Sequence, residues 1–276
     1  MSDTATRVLL ATPAAVILDI CCQGSHAGRS AEEWTAATHL VFSYRGLYVR
    51  HLGRDDAVAD GNQVLFFNAG DVYRVSHPVA GGDASVDVVV AEPLLHELAP
   101  PGLVHDGPVL RFRQHRLRID PRVQAMIALL RHRLIERAAD TLEAETLVLA
   151  LVRRALGTRT AHAPGATAGR RRLVDRIKLV LGSDPTRRWT LSQIAAEVGR
   201  SPVYLTQIFQ QVEGVPLYRY HLRLRLARAL DLLPEYDDLT ALGLDLGFSS
   251  HSHFTTAFRQ AYGRSPSSFR QAALGR

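Results

Sequence analysis

The last hundred or so residues of this chain repeat themselves, and the repeat limits what they can build. Leu191, Ile194, Ala195, Val198, Gly199, Leu205, Ile208, Phe209 and Gly214 recur as Leu239, Leu242, Gly243, Leu246, Gly247, Phe254, Ala257, Phe258 and Gly263. The register is 48 residues up to the turn glycine and 49 beyond it, so the second turn carries one extra residue. Each copy sets an apolar helical face with a small residue, Ala195 or Gly243, where a second helix must cross closely. Gly199 and Gly247 then suit the left-handed conformation that ends a helix. A serine N-cap follows, Ser201 ahead of Pro202 in one copy and Ser249 or Ser250 in the other. These are the parts of a helix-turn-helix. One copy is also compatible with an ordinary helical hairpin; two copies with matched glycines argue against that reading.

The chain has 276 residues, 46% hydrophobic and 22% charged, enough for two domains that each bury a core. Its 33 basic against 27 acidic residues give a net charge of +6, which points to a polyanionic partner. An anionic membrane requires a span of roughly 20 apolar residues or a basic amphipathic anchor. The apolar stretches of the chain fall far short. The first ten residues lack the basic-then-apolar pattern of an export signal. Cys21 and Cys22 are adjacent and the only cysteines, which fits a reducing compartment, so a cytoplasmic protein is expected. Lys178 is the only lysine, read here as a coding bias that favours guanidinium forks. The charge is unevenly spread: residues 1–108 carry net −7, residues 109–169 net +6 and residues 170–276 net +7.

Residues 39–44, 47–52, 63–67, 73–76 and 85–90 are β-branched or aromatic and punctuated by glycine. Short strands at this spacing predict a β-barrel or sandwich. From Asp120 the period turns helical. Asp120-Pro121 starts a helix striped by Val123, Ile127, Leu130 and Leu134, and Thr141 caps a second over residues 141–156. These two helices either dimerise or cover an open sheet edge. Residues 157–169 have no apolar periodicity and read as a flexible linker.

The stretches 191–220 and 239–270, notably Gly247-Phe248-Ser249-Ser250, Phe254, Phe258, Tyr262-Gly263 and Ser265-Pro266, resemble the signature of the AraC/XylS family of bacterial transcription regulators. The resemblance covers residues 170–274. It implies a seven-helix domain whose central helix, residues 217–233, holds two helix-turn-helix units apart so that their recognition helices enter successive major grooves. It also implies double-stranded promoter DNA and RNA polymerase as partners. The outward positions are Val203, Thr206, Gln207, Gln210 and Gln211 on the first recognition helix, residues 202–212. On the second, residues 250–261, they are His251, Ser252, Thr255, Thr256 and Arg259, with His253 at the DNA backbone. Glutamine pairs with adenine, and valine or threonine methyls pack on thymine. Family members often carry arginine where this chain has Gln207 and Thr256, which argues against guanine readout from those two positions. Arg259 and the run Arg170-Arg171-Arg172 suit phosphates, and Arg219, Arg223, Arg225 and Arg228 on the central helix reach towards phosphates or acidic neighbours.

The strand-rich part resembles the cupin-like sensor and dimerisation domains found in many such regulators, on Asp60-Gly61, residues 66–78 and Gly81-Gly82-Asp83. A glycine turn at Gly70 and a His-Pro corner bring Tyr73, His77 and Asp83 to the mouth of a small barrel able to hold one ligand. The alternative is that His77 and Asp83 only hydrogen-bond the turn. Cys21, Cys22, His26, His39 and His77 make a zinc site only if the fold gathers them. An inert buried cysteine pair is the simpler assumption, so no catalytic residue, metal or cofactor is expected.

The expected architecture is α+β and multidomain. A cupin-like β-barrel sensor spans residues 1–108, a helical dimerisation segment 109–156, a linker 157–169, and an all-α domain with two helix-turn-helix units 170–276. The expected function is a homodimeric, effector-responsive, sequence-specific DNA-binding transcription regulator rather than an enzyme. A metal-dependent cupin enzyme fused to a DNA-binding domain and a constitutive architectural DNA binder are the alternatives. An alkyl-acceptor repair sensor needs a four-cysteine zinc cluster, and this chain has two cysteines.

Overall fold

The computed structural model of the protein describes residues 4–24, 28–105, 107, 109–157 and 167–275. Among these, ten strands form two sheets. The larger has the order β1-β2-β9-β4-β7-β10, from β1 (Thr4–Ala11), β2 (Ala15–Cys22), β9 (Asp83–Val90), β4 (His39–Arg45), β7 (Gln63–Phe67) and β10 (Arg116–Arg118). The smaller has the order β3-β8-β5-β6, from β3 (Glu33–Trp34), β8 (Val72–Ser76), β5 (Tyr48–Leu52) and β6 (Asp55–Ala59). The expected barrel does not close. The ladders end at β1 and β10 in one sheet and at β3 and β6 in the other, so the described residues form a sandwich of two open sheets.

Strand alternation assigns the two faces of the larger sheet. Ile17, Leu40, Phe42, Val64, Phe66, Val86 and Val88 point one way and share a core with α1 (Glu92–Leu98), α2 (Pro121–Ile135) and α3 (Thr141–Gly157), through Leu95, Val123, Ile127, Leu130, Val148 and Leu151. The alternate residues Val41, Leu65 and Phe67 point the other way and meet Tyr48, Ala57 and Ala59 of the smaller sheet. Helices, large sheet and small sheet therefore form three layers. The central strands read as nearly unbroken apolar runs because both of their faces are covered. The helices thus cover a face of the sheet and not an edge.

Asp120 caps α2 as expected, its Oδ1 accepting from the Val123 N–H at 2.9 Å. The cap of α3 is Asp140 and not Thr141: Asp140 Oδ1 accepts from the Glu143 N–H at 2.8 Å. A carboxylate one residue earlier supplies both the acceptor and a charge favourable to the helix dipole. The far side of α2 is also buried, with Ala128 joining Leu226, Leu230 and Phe254 in a second core.

Seven further helices follow. They are α4 (Ala168–Ser183), α5 (Leu191–Val198), α6 (Pro202–Glu213), α7 (Leu217–Leu232), α8 (Leu239–Asp245), α9 (His251–Tyr262) and α10 (Pro266–Ala273). The first part of α7 closes a core with α4, α5 and α6 through Leu217 and Tyr220. Its second part closes another with α8, α9 and α10. Of the expected linker, Gly157 ends α3, Thr167 caps α4, and Ala168 and Gly169 are helical; residues 158–166 lie outside the described residues.

Buried polar contacts join the sheets to the helical region. Arg116 Nη1 lies 3.1 Å from Asp175 Oδ1, Asn62 Nδ2 donates to the Tyr220 carbonyl at 3.3 Å, and the Tyr220 hydroxyl donates to Asp60. Lys178 is fully buried, its Nζ 2.7 Å from Glu213 Oε1 and 5.5 Å from the centre of the Tyr220 ring. The lone lysine is thus more than a trace of coding bias: it fills a core position where one buried carboxylate needs a cation.

Candidate nucleic-acid interface and buried cavity

The repeat builds two helix pairs of matching geometry. Gly199 (φ 64°) ends α5 and Gly247 (φ 79°) follows α8. Ser201 Oγ accepts from the Tyr204 N–H at 3.3 Å to start α6, and Ser250 Oγ accepts from the His253 N–H at 3.1 Å to start α9. Ser250 is therefore the cap that the sequence left open between two serines. A Cβ on Gly243 would sit 3.0 Å from Phe254 Cβ, which is why the crossing of α8 and α9 takes the smallest residue. Leu205, Ile208 and Phe209 of α6, and Phe254 and Phe258 of α9, are wholly buried. A buried leucine or phenylalanine contributes about 1.5–3 kcal/mol, so α6 and α9 are each held by one face and offer the other.

On that other face Val203, Gln207, Gln210 and Gln211 are exposed and Thr206 is half-buried. Thr206 Oγ1 donates to the Val203 carbonyl at 2.8 Å, so its hydroxyl hydrogen is already engaged within α6. On α9, His251, Ser252, Thr256 and Arg259 are exposed and Thr255 is half-buried. His253 is exposed, its Nδ1 3.0 Å from Ser249 Oγ and its ring edge-on to Phe248. Two aromatic residues outside the expected outward set, Tyr204 and Tyr218, are 42% and 65% exposed. The helical stripe could have found Tyr204, which lies one position from the outward Val203.

The central helix does not present all its arginines outward. Arg225 donates to four carbonyls: Nε to Pro185 at 2.8 Å, Nη2 to Thr186 at 3.2 Å and to Arg187 at 2.7 Å, and Nη1 to Gly247 at 3.3 Å. It ties the loop before the first helix pair to the turn of the second. Beside it His221 Nε2 donates to the Pro185 carbonyl at 2.8 Å, and burial with the neighbouring Arg225 charge pushes its pKa down to about 4. Arg228 pairs with Asp231. Arg219 is exposed and Arg223 half-buried. Arg170 and Arg172 are exposed near the start of α4.

Tyr73, His77 and Asp83 line one cavity of about 290 Å³ between the two sheets, with Cys22, Glu33, His39, Tyr48 and Asp87. His77 Nδ1 and Asp83 Oδ2 are 2.5 Å apart, and this hydrogen bond outweighs burial to raise the His77 pKa. Burial pushes the Asp87 carboxyl up; its Oδ2 lies 3.7 Å from His39 Nε2. The five residues weighed as a zinc set are not gathered. Cys21 and Cys22 point to opposite faces of β2: Cys21 Sγ lies 3.5 Å from the Tyr44 hydroxyl on the helix side, while Cys22 Sγ lies 3.8 Å from His77 Nε2 in the cavity. Neither thiol is fully buried. His39 stacks on Phe67, and His26 lies outside the described residues.

Residues 194–272 match the family model of a helix-turn-helix domain. Similar proteins include regulatory protein PocR of Salmonella typhimurium, 33% identical over 82 residues, which are 29% of this chain and 27% of that protein. The HTH-type transcriptional regulator ExsA of Pseudomonas aeruginosa is 31% identical over 101 residues, 36% of each chain. A solved transcriptional regulator of Chromobacterium violaceum, described as containing an AraC-type DNA-binding domain, is 30% identical over 39% of this chain and 97% of that one, with a TM-score of 0.36. The chain spans 27% to 36% of the length of the first curated relatives it matches. The C-terminal region carries a helix-turn-helix domain.

Proposed function

We propose that the protein is an effector-responsive, sequence-specific DNA-binding transcription regulator. The observation that carries this reading is the pair of recognition helices, each capped by serine, anchored by buried aromatic and aliphatic residues, and exposing a polar face from a region of net charge +7. Gln207, Gln210 and Gln211 supply paired donors and acceptors, Val203 and Thr206 supply methyl contacts, and His251, Ser252, Thr255 and Thr256 supply the second set. Arg259, Arg170 and Arg172 neutralise phosphates.

In this reading residues 1–108 are the cupin-like sensor, with the cavity at Tyr73, His77 and Asp83 as its ligand site. Residues 109–156 carry the dimer contact. The outer surface of α3 supports this, because Leu142 is 74% exposed while α2 is packed on both sides. Residues 170–276 bind promoter DNA and meet RNA polymerase in the cytoplasm, and no catalytic role is assigned. Footprinting on the protein's own upstream region at fixed salt tests the reading. A discrete protected site that changes with effector is expected, and uniform coating of the duplex would favour an architectural binder.

A further inference from the structure

The cavity between the sheets holds a thiol, an imidazole and a carboxylate at one spot. We propose that Cys22, His77 and Asp83 form a binding site for a thiophilic divalent cation of the zinc class, and that this cation is the effector; the second half of the proposal rests on the DNA-binding reading, the first does not.

The ladder of the larger sheet brings two of the residues together. Cys22 and Asp83 are directly opposed in the β2–β9 pairing, and opposed residues project on the same face with their Cβ atoms about 5 Å apart. His77 follows β8 in the other sheet and reaches the same point from across the cavity. One donor atom from each residue lies within 4.8 Å of the other two. With zinc–sulfur and zinc–nitrogen bonds of about 2.3 and 2.05 Å, the 3.8 Å between Cys22 Sγ and His77 Nε2 corresponds to an angle at the metal of about 120°. That is close to what a four-coordinate ion accepts.

The remaining contacts favour occupancy. Asp83 holds His77 by Nδ1, which fixes the tautomer with Nε2 as the free donor and raises its basicity, the arrangement in which a carboxylate backs a metal-bound histidine. The Cys22 thiolate and the Asp83 carboxylate together balance a 2+ charge. Sulfur and nitrogen donors select zinc-class ions over magnesium or calcium. The cavity of about 290 Å³ leaves room for water or a small anion on the open positions. Cys21 is no part of this site, because strand alternation sends it to the opposite face beside Tyr44.

Cobalt(II) titrated into the full-length protein reads the site directly, since a thiolate bound to cobalt gives a ligand-to-metal absorption band. The expected result is a band that saturates at one equivalent, is displaced by zinc, and persists in Cys21→Ser. It is lost in Cys22→Ser, and His77→Ala weakens cobalt binding by at least tenfold. Asp83→Asn is expected to weaken binding about 10- to 100-fold, as for other residues that back a metal-bound histidine. Absence of the band in the wild-type protein, or its survival in Cys22→Ser, overturns the site. For the effector role, zinc must shift the footprint of the wild-type protein and not that of Cys22→Ser; an unchanged wild-type footprint overturns it. The cobalt readout contains no DNA, so its failure leaves the regulator reading standing, and failure of any footprint to form leaves the metal site standing.

Discussion

Arg131 and Asp231 meet at 3.1 Å between Nη1 and Oδ1, and the same guanidinium places Nε 3.2 Å from Asp19 Oδ2 and lies 4.0 Å from the centre of the Tyr44 ring. One side chain on α2 thereby ties β2, the strand that also carries Cys22, to the helix shared by both helix-turn-helix units. Removing one partner of a buried ion pair typically costs about 3–5 kcal/mol. Arg228 remains on Asp231 to soften the loss, so Arg131→Met is expected to lower unfolding stability by about 2–4 kcal/mol. Urea denaturation checks this, and a change under about 1 kcal/mol would mean the bridge is not a structural tie.

Two glycines of the repeat are expected to differ sharply on replacement by alanine. Both have positive φ, which costs an alanine about 1–2 kcal/mol. Gly199 has open space around its missing Cβ, whereas a Cβ on Gly247 would fall 2.1 Å from the Thr186 carbonyl oxygen. Gly199→Ala is therefore expected to stay near the conformational cost alone. Gly247→Ala should cost clearly more and disturb the carbonyl cluster around Arg225, as compared in paired thermal melts.

His221 makes one contribution to the pH dependence of stability. Its folded pKa, about 4, lies below the unfolded value of about 6.5, so the fold binds the neutral ring. The stabilisation is complete above about pH 6.5 and is lost as pH falls towards 4, by up to about 3 kcal/mol for this group. Burial shifts His132 the same way, and its Nε2 donates to the Leu230 carbonyl. Raised pKa values at Asp87 and His77 act with the opposite sign, so the check is differential: the denaturant midpoint of the wild-type protein is expected to fall relative to that of His221→Gln between pH 7 and 4.

In the proposed DNA-binding reading, base readers and phosphate contacts are separable. Gln207→Ala is expected to cost about 1–3 kcal/mol at the true site and to relax sequence preference, while Arg259→Ala weakens all sequences alike and lowers the salt slope by about one. Binding isotherms on specific and scrambled duplexes at several salt concentrations distinguish the two. Equal effects of both variants on specific and scrambled DNA would remove Gln207 from base readout.

Local chemistry was legible in the sequence wherever it was locally determined. The serine caps, the left-handed glycines and the close crossing at Gly243 depend on residues a few positions apart, and the chain spells them out. The strand Gln63–Phe67 was readable for the same reason. β1 escaped because it is an edge strand with exposed residues 4–8, and β6 because Asp55 and Asp56 dilute its apolar signal. The separation of Cys21 from Cys22 follows from strand alternation once β2 is placed, but the open sheets and the carbonyl grip of Arg225 depend on long-range register. No spacing along the chain encodes that register. Tyr73, His77 and Asp83 are legible in the sequence as neighbours of one turn, but Cys22, which lines the same cavity, lies 55 residues before His77.

The buried position of Lys178 also makes the folded protein unusual as a reagent. Its single lysine amine is sealed in the core with Glu213, so amine-directed dyes, crosslinkers and acyl donors should leave the lysine side chain untouched while the fold persists. Opening of the contact between α4 and α6 releases that one amine. Acylation of Lys178, followed by mass spectrometry of its peptide, is then expected to track opening of this region, with labelling rising in parallel with denaturant unfolding and suppressed under native conditions.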